Sequence, residues 1–167
     1  MKVSGEEYRN IISFMGSNPV IRVIVPLLDK LITLLTALGY AGFLYILFRT
    51  KSPLLVRCTV VPAVGFIICT MVRGMLNWKR PYEVYEFEPI IHKETFGKSF
   101  PSRHVCSIFL IAMAFLQYDS SMAMVMALLG VILSILRVFG GVHFPKDVIA
   151  GALFGLILGA VGFYVFW

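Results

Sequence analysis

Arg137, His143 and Asp147 lie within the stretch Arg-Val-Phe-Gly-Gly-Val-His-Phe-Pro-Lys-Asp, between two long apolar segments. Charged groups are expensive near hydrocarbon, about 2.5–3.5 kcal/mol each at a helix centre on insertion scales, so a cluster of them marks a functional site. Gly140 and Gly141 permit a tight backbone, and Pro145 suits the first position of a helix, leaving Asp147 in that helix's first turn. A carboxylate four residues beyond an imidazole can orient it for attack, as the acid of a catalytic triad does. A cation, an imidazole and a carboxylate at this spacing suggest one half of an anion-handling active site.

Candidates for the other half stand mid-chain. Arg73 and Arg80 follow one apolar segment, and Ser102, Arg103 and His104 open the next. Arginines neutralise phosphate through forked, often bidentate hydrogen bonds that an ammonium group does not supply. Ser102 and the N–H groups of a first helical turn add donors, as helix N-termini do for anions. The chemistry this suggests is phosphoryl transfer: His143 attacks phosphorus, Asp147 orients it, and His104 is the general acid for the leaving oxygen. Arginines neutralise the charge and no Asp/Glu cluster offers magnesium-type ligands, so neither metal nor cofactor is expected.

These residues must be brought together by helices, and the sequence predicts an all-α polytopic membrane bundle. Of the 167 residues 59% are hydrophobic and 14% charged, against roughly 25% charged in soluble domains. Spans are expected at about 31–48, 54–76, 102–118, 122–139 and 145–167, each near the roughly 20 residues a crossing needs. Residues 19–30 read as an interfacial lead-in, because Arg22, Asp29 and Lys30 argue against full immersion in hydrocarbon. Residues 4–16 read as an amphipathic helix on the membrane surface, starting with a Ser4–Glu7 capping box and carrying Tyr8, Ile11, Ile12 and Met15 at helical spacing. The long connection 77–100 alternates aromatics and acids; it reads as a solvated loop skimming the interface or, more sharply, as a lid over the site. With five crossings, the ends of spans two and four and the starts of spans three and five share one membrane face, so all the candidate residues do too. In the last span Asp147, Gly151, Gly155 and Gly159 recur every fourth residue, a small-residue stripe that lets a neighbouring helix approach closely.

The whole chain, 1–167, thus reads as a single integral-membrane domain. Its charge of +6 suits lipid headgroups or phosphate substrates and not nucleic acid, since no basic stripe sits on a soluble helix. Cys58, Cys69 and Cys106 are read as packing residues, with no ligand-like spacing. The N-terminus has no signal-peptide pattern and is expected to be retained.

In these residues the chain resembles the membrane-bound type-2 phosphatidic acid phosphatase superfamily, whose signature is Lys-x6-Arg-Pro, Pro-Ser-Gly-His and Ser-Arg-x5-His-x3-Asp. Here the three parts are Arg73-x6-Arg80-Pro81, Pro101-Ser102-Arg103-His104 and Leu136-Arg137-x5-His143-x3-Asp147. Three positions depart: Arg73 stands for lysine, Arg103 for glycine and Leu136 for serine. None removes a residue assigned to bond breaking, and Arg103 either helps hold a second phosphate or points to the interface. The resemblance implies that His143 forms a phosphohistidine, Asp147 orients it, His104 is the acid, and Arg73, Arg80, Ser102 and Arg137 bind phosphate.

The expected function is a lipid phosphatase of the bacterial plasma membrane, acting on a lipid phosphate or diphosphate and first on undecaprenyl diphosphate. Phosphatidylglycerophosphate, phosphatidic acid and lipid A phosphate are alternatives, and a non-enzymatic lipid-phosphate binder or transporter is the rival from another class. The basic turn between Arg49 and Arg57 is expected in the cytoplasm by the positive-inside rule, which puts the site on the extracytoplasmic face.

Overall fold

The computed structural model describes residues 5–166. Its helices are α1 (Gly5–Ser17), α2 (Pro19–Arg49), α3 (Leu54–Leu76), α4 (Pro81–Tyr85), α5 (Arg103–Leu116), α6 (Ser120–Phe139) and α7 (Pro145–Tyr164). No strand occurs among the described residues. Four helices, α2, α3, α6 and α7, are long and apolar enough to cross a membrane. Their outer faces expose large apolar side chains, among them Leu34, Leu38, Ile67, Leu128 and Ile157. Such a surface suits lipid, and the chain is an integral membrane protein.

α5 is the centre of the bundle. At 14 residues it extends about 21 Å, less than the ~30 Å hydrocarbon thickness, and so it is shorter than the expected 102–118 crossing. Val105, Cys106, Ile108, Leu110 and Ala114 along it are almost completely buried. Enclosure by α3, α6 and α7 shields it from lipid, so it does not need the length of a lipid-facing helix.

α2 is one continuous helix of 31 residues, so residues 19–30, expected as an interfacial lead-in, are helical and run straight into the expected span at 31–48. Asn18 caps it, its side chain accepting from the Val20 and Ile21 amides, and Pro19 occupies the first turn as expected. The charges that argued for an interface are accommodated otherwise: Arg22 pairs with Glu88 at 3.2 Å near the helix start, and Asp29 is buried inside the bundle. α1 lies against the end of the bundle that carries the site. Tyr8, Ile12 and Met15 face inward, whereas Ile11, expected on the same face, is exposed together with Phe14. Ser4, the expected cap, lies outside the described residues.

The small-residue stripe of α7 packs against α5. A Cβ added at Gly151 would stand 2.6 Å from the Ser102 carbonyl oxygen, and one at Gly155 would stand 2.5 Å from that of Cys106. At Gly159 the neighbour is the flexible Met113 side chain, at 2.7 Å. Overpacking a tight core costs about 1–3 kcal/mol, and a backbone oxygen cannot turn away as a methionine can. Gly155→Ala is therefore expected to lower the unfolding midpoint in detergent clearly more than Gly159→Ala, measured side by side by thermal denaturation.

Candidate active site

The turn between α6 and α7 is built by its glycines and by one carbonyl. The Arg137 carbonyl accepts from the amides of both Val142 (3.3 Å) and His143 (3.2 Å), folding the chain back on itself. Gly141 takes φ +77°, and a Cβ there would collide with Phe87 at 2.8 Å. Phe144 and Pro145 then start α7, and Asp147 reaches back to cap it, Oδ2 accepting from the Phe144 amide at 3.0 Å.

The same Asp147 oxygen lies 3.4 Å from His143 Nδ1 and accepts from the Ser99 hydroxyl at 2.5 Å. His143 and Asp147 are 1% and 0% exposed, so this carboxylate is held inside protein by a backbone amide, a hydroxyl and an imidazole. Burial holds the His143 imidazole below its ordinary pKa, with Arg80 and Arg137 adding to the effect against the pull of Asp147. The ring is thus neutral near pH 7. With Nδ1 turned to Asp147, Nε2 is the nitrogen left to act on a ligand.

α5 is joined to this turn through the backbone, its Ser102 amide donating to the Asp147 carbonyl at 2.8 Å. Ser102 is the N-cap of α5, yet its buried hydroxyl has no hydrogen-bond partner among the described residues. It is a donor available to an anion at the helix N-terminus. His104, in the first turn of α5, lines a cavity of about 220 Å³ with Arg103, Thr33, Phe66 and Leu133. It also lies within electrostatic reach of His143 and Arg137.

The arginines that sequence reasoning singled out converge here, and each is engaged. Arg73, 8% exposed, donates through Nη1 to the carbonyls of Ser99 and Pro101 just before α5. Arg80 donates to the carbonyls of Gly97 (3.0 Å), Val142 (3.1 Å) and Lys98 (3.4 Å), bridging the 77–100 connection to the turn that carries His143. Arg137 forms a buried ion pair with Asp29 of α2, Nε to Oδ1 2.7 Å. Arg103 lies over the Phe66 ring, 5.2 Å from its centre. All eight candidate residues therefore gather at one end of the bundle.

Two participants escaped the sequence reading. Asp29 was legible only as a charge in an apolar helix, a signal assigned to the interface. Ser99 carried no signal, because it precedes the motif and depends on the packed 77–100 connection. That connection is part packed and part exposed: Tyr82, Ile90 and Ile91 are buried in the main core and the Ile91 amide bonds the Gly140 carbonyl at 3.1 Å, whereas Glu86, Glu88, His92 and Glu94 are exposed.

Residues 54–167 match the family described as the PAP2 superfamily, a span that holds the three motifs together with every helix carrying them. The chain belongs to the PAP2 superfamily. Among curated relatives it is 31% identical over 121 residues to the "Bacitracin transport permease protein BcrC" of Bacillus licheniformis, covering 71% of this chain and 57% of that protein. It is 29% identical over 141 residues to the "Putative undecaprenyl-diphosphatase YbjG" of Escherichia coli K12, covering 82% and 68%. Among solved structures it resembles LpxE of Aquifex aeolicus, with TM-score 0.73, 23% identity and 97% and 95% of the two chains covered. A PAP2-type phosphatidylglycerolphosphate phosphatase of Bacillus subtilis superposes with TM-score 0.68 at 21% identity, over 94% and 83%. At these identities the two structures establish the shared fold.

The Asp29–Arg137 pair is buried, and its removal is testable. Breaking a buried pair by removing one partner costs about 3–5 kcal/mol, because the other charge is left uncompensated. Asp29→Asn is expected to destabilise the protein on that scale in denaturant titration. Added inorganic phosphate is expected to narrow the gap to wild type, because the anion supplies Arg137 with a counter-charge.

Proposed function

We propose that this protein is a membrane lipid phosphatase that hydrolyses a lipid phosphate or diphosphate through a phosphohistidine. The observation that carries the reading is the buried, neutral His143 whose Nδ1 faces Asp147, within a ring of arginines and beside the unpartnered Ser102 hydroxyl. Nε2 of His143 attacks the terminal phosphorus while Asp147 stabilises the imidazolium that forms. Arg73, Arg80, Arg137 and Ser102 hold the equatorial oxygens, and His104 protonates the leaving oxygen. Water then attacks the phosphohistidine, releasing phosphate and restoring His143. Arginines carry the charge neutralisation, so no metal ion enters the scheme.

Undecaprenyl diphosphate is the first choice of substrate, supported by the name of the Escherichia coli relative and by a site at the end of a bundle of membrane helices. The basic Arg49–Arg57 turn lies at the opposite end of the bundle, which favours an extracytoplasmic site. The name of the Bacillus licheniformis relative, a transport permease, keeps a lipid-phosphate binder or transporter as the second reading. A binder needs the arginines but not a His–Asp pair with a second histidine.

Phosphate release from a panel of polyprenyl diphosphate, phosphatidylglycerophosphate and phosphatidic acid separates the readings. Wild type is expected to turn over at least one, and His143→Ala to lose turnover by a factor of about 10⁴ or more, the scale of removing a catalytic nucleophile, while still binding lipid. Turnover that survives the substitution removes His143 as nucleophile. Activity is expected to persist in chelator. Because the folded imidazole has a depressed pKa, it stays unprotonated below its ordinary value near 6.5; the acid limb of kcat/KM is therefore expected below about pH 6.5, and an acid limb centred above that value would contradict the burial of His143.

A further inference from the structure

Arg103 stands in the first turn of α5, between the Ser102 cap and His104, and makes no hydrogen bond or ion pair among the described residues. A cation at a helix N-terminus is repelled by the helix dipole. The guanidinium is turned sideways onto α3 instead, over the Phe66 ring at 5.2 Å from its centre, a stack worth most where water is scarce. Phe66 is 42% exposed, so the pair stands on the outer, lipid-facing side of the bundle.

Two cavities meet at this stack. The first, of about 220 Å³, has Arg103 and His104 at its head. The second, of about 430 Å³, continues down the bundle to Tyr40 and Leu44. Phe66, Ser107 and Ile111 line both, so the two form one groove. Its walls are the facing sides of α2 and α3, and its floor is a single stripe of α5 in which Arg103, Ser107 and Ile111 recur every fourth residue. Near its foot the walls are tied together, the Tyr40 hydroxyl donating to the Cys58 carbonyl at 2.7 Å. From Thr33 to Tyr40 the groove descends about 10 Å, at roughly 1.5 Å per helical residue. Ala37 and Ala63, one on each wall, are small and exposed, which leaves the groove open sideways to the bilayer.

One stripe of one helix makes a floor a single hydrocarbon chain wide. A mostly apolar groove that begins at His104 and opens into hydrocarbon suits the tail of the lipid whose phosphate that histidine serves. We propose that this groove holds one chain of the substrate, and that the Arg103–Phe66 stack at its head selects lipids with a single chain over lipids with two. The proposal rests on the phosphatase reading above. A single chain passes beneath the stack and along the floor. In a diacyl lipid the second chain leaves the headgroup at the level of the stack, where it would press apolar surface onto a guanidinium that has no counter-ion, at a desolvation cost. A polyprenyl phosphate meets the condition and a diacylglycerol phosphate does not. Arg103 is thus a specificity-determining residue of the tail site and not a further phosphate clamp.

Lysophosphatidic acid and phosphatidic acid carry the same phosphate headgroup and differ in chain number, so they isolate the effect. With the full chain in phosphatidylcholine nanodiscs, wild type is expected to favour the one-chain lipid in kcat/KM. Phe66→Ala and Arg103→Gly are each expected to reduce that ratio about tenfold, on the scale of one desolvated cation–π contact. An equal rate for the two lipids in wild type, or a ratio unmoved by either substitution, overturns the proposal. So does the pattern of a phosphate ligand, in which Arg103→Gly slows both lipids alike and Phe66→Ala slows neither. A second measurement needs no turnover. His143→Ala protein is irradiated with a single-chain alkyl phosphate carrying a diazirine in the first part of its chain, and labelled peptides are mapped by mass spectrometry. Label is expected on α3 and α5 around Phe66 and Ser107, and is expected to fall several-fold when Ala63→Trp fills the groove. Ala63 is exposed, so the larger side chain is accommodated without repacking the core. Label at these positions supports the groove even if no lipid is hydrolysed, in which case the phosphatase reading alone fails. Label confined to other helices, or undiminished by Ala63→Trp, overturns the groove whatever the hydrolysis assay gives.

Discussion

Asp147 joins three parts of the protein at one residue. Its carboxylate takes the Phe144 amide that starts α7, the Ser99 hydroxyl from the 77–100 connection, and the imidazole of His143. Its carbonyl takes the Ser102 amide that starts α5. Two helix starts, the 77–100 connection and the His143 imidazole are therefore positioned by one side chain and one peptide group. The contact is possible because α7 approaches α5 with glycine at Gly151, where even a methyl group would strike the Ser102 backbone. Backbone proximity, not side-chain reach, sets the distance between the two halves of the site.

Around that joint the protein keeps an unusual concentration of positive charge inside a membrane bundle. Each arginine is reconciled with burial in its own way. Arg73 and Arg80 are satisfied by peptide carbonyls, which lets them brace the 77–100 connection while still presenting their charge to the site. Arg137 uses the carboxylate of Asp29. The peptide carbonyls that engage Arg73 and Arg80 carry no net charge, so the field of these two guanidinium groups is preserved and the site is electropositive and preorganised for an anion. The cost of gathering the cations is borne by folding, so binding does not have to rearrange them.

Much of this was readable from residue patterns. Helix positions followed from apolar runs and from caps such as Asn18-Pro19. Counting crossings put Arg73, Ser102, Arg137 and His143 on one face before any geometry was known. The fourfold spacing of Asp147, Gly151, Gly155 and Gly159 marked the close helix pair, although not that α5 was the partner. What escaped was whatever depends on long-range packing. Asp29 looked like an interfacial charge because a lone sequence position cannot reveal a buried counter-ion more than a hundred residues away. Ser99 was invisible because a polar residue in a connection looks solvated until it is seen packed against the site. The length of α5 was overestimated because hydropathy does not distinguish a helix facing lipid from one enclosed by other helices.

The region that matches the family begins at residue 54, but the cluster is not held by that region alone. Asp29, which secures Arg137, lies in α2, and α1 sends Tyr8 to the Val138 carbonyl at 3.0 Å and sets its ring against Phe87 and Phe144 beside the α6–α7 turn. The motifs are thus not a portable cassette. Moved into another bundle with every motif residue intact, they would arrive with an uncompensated guanidinium and an unsupported turn. The smallest inheritable unit of this site is nearly the whole chain, and relatives that keep the signature are free to differ in chemistry through the helices that precede it.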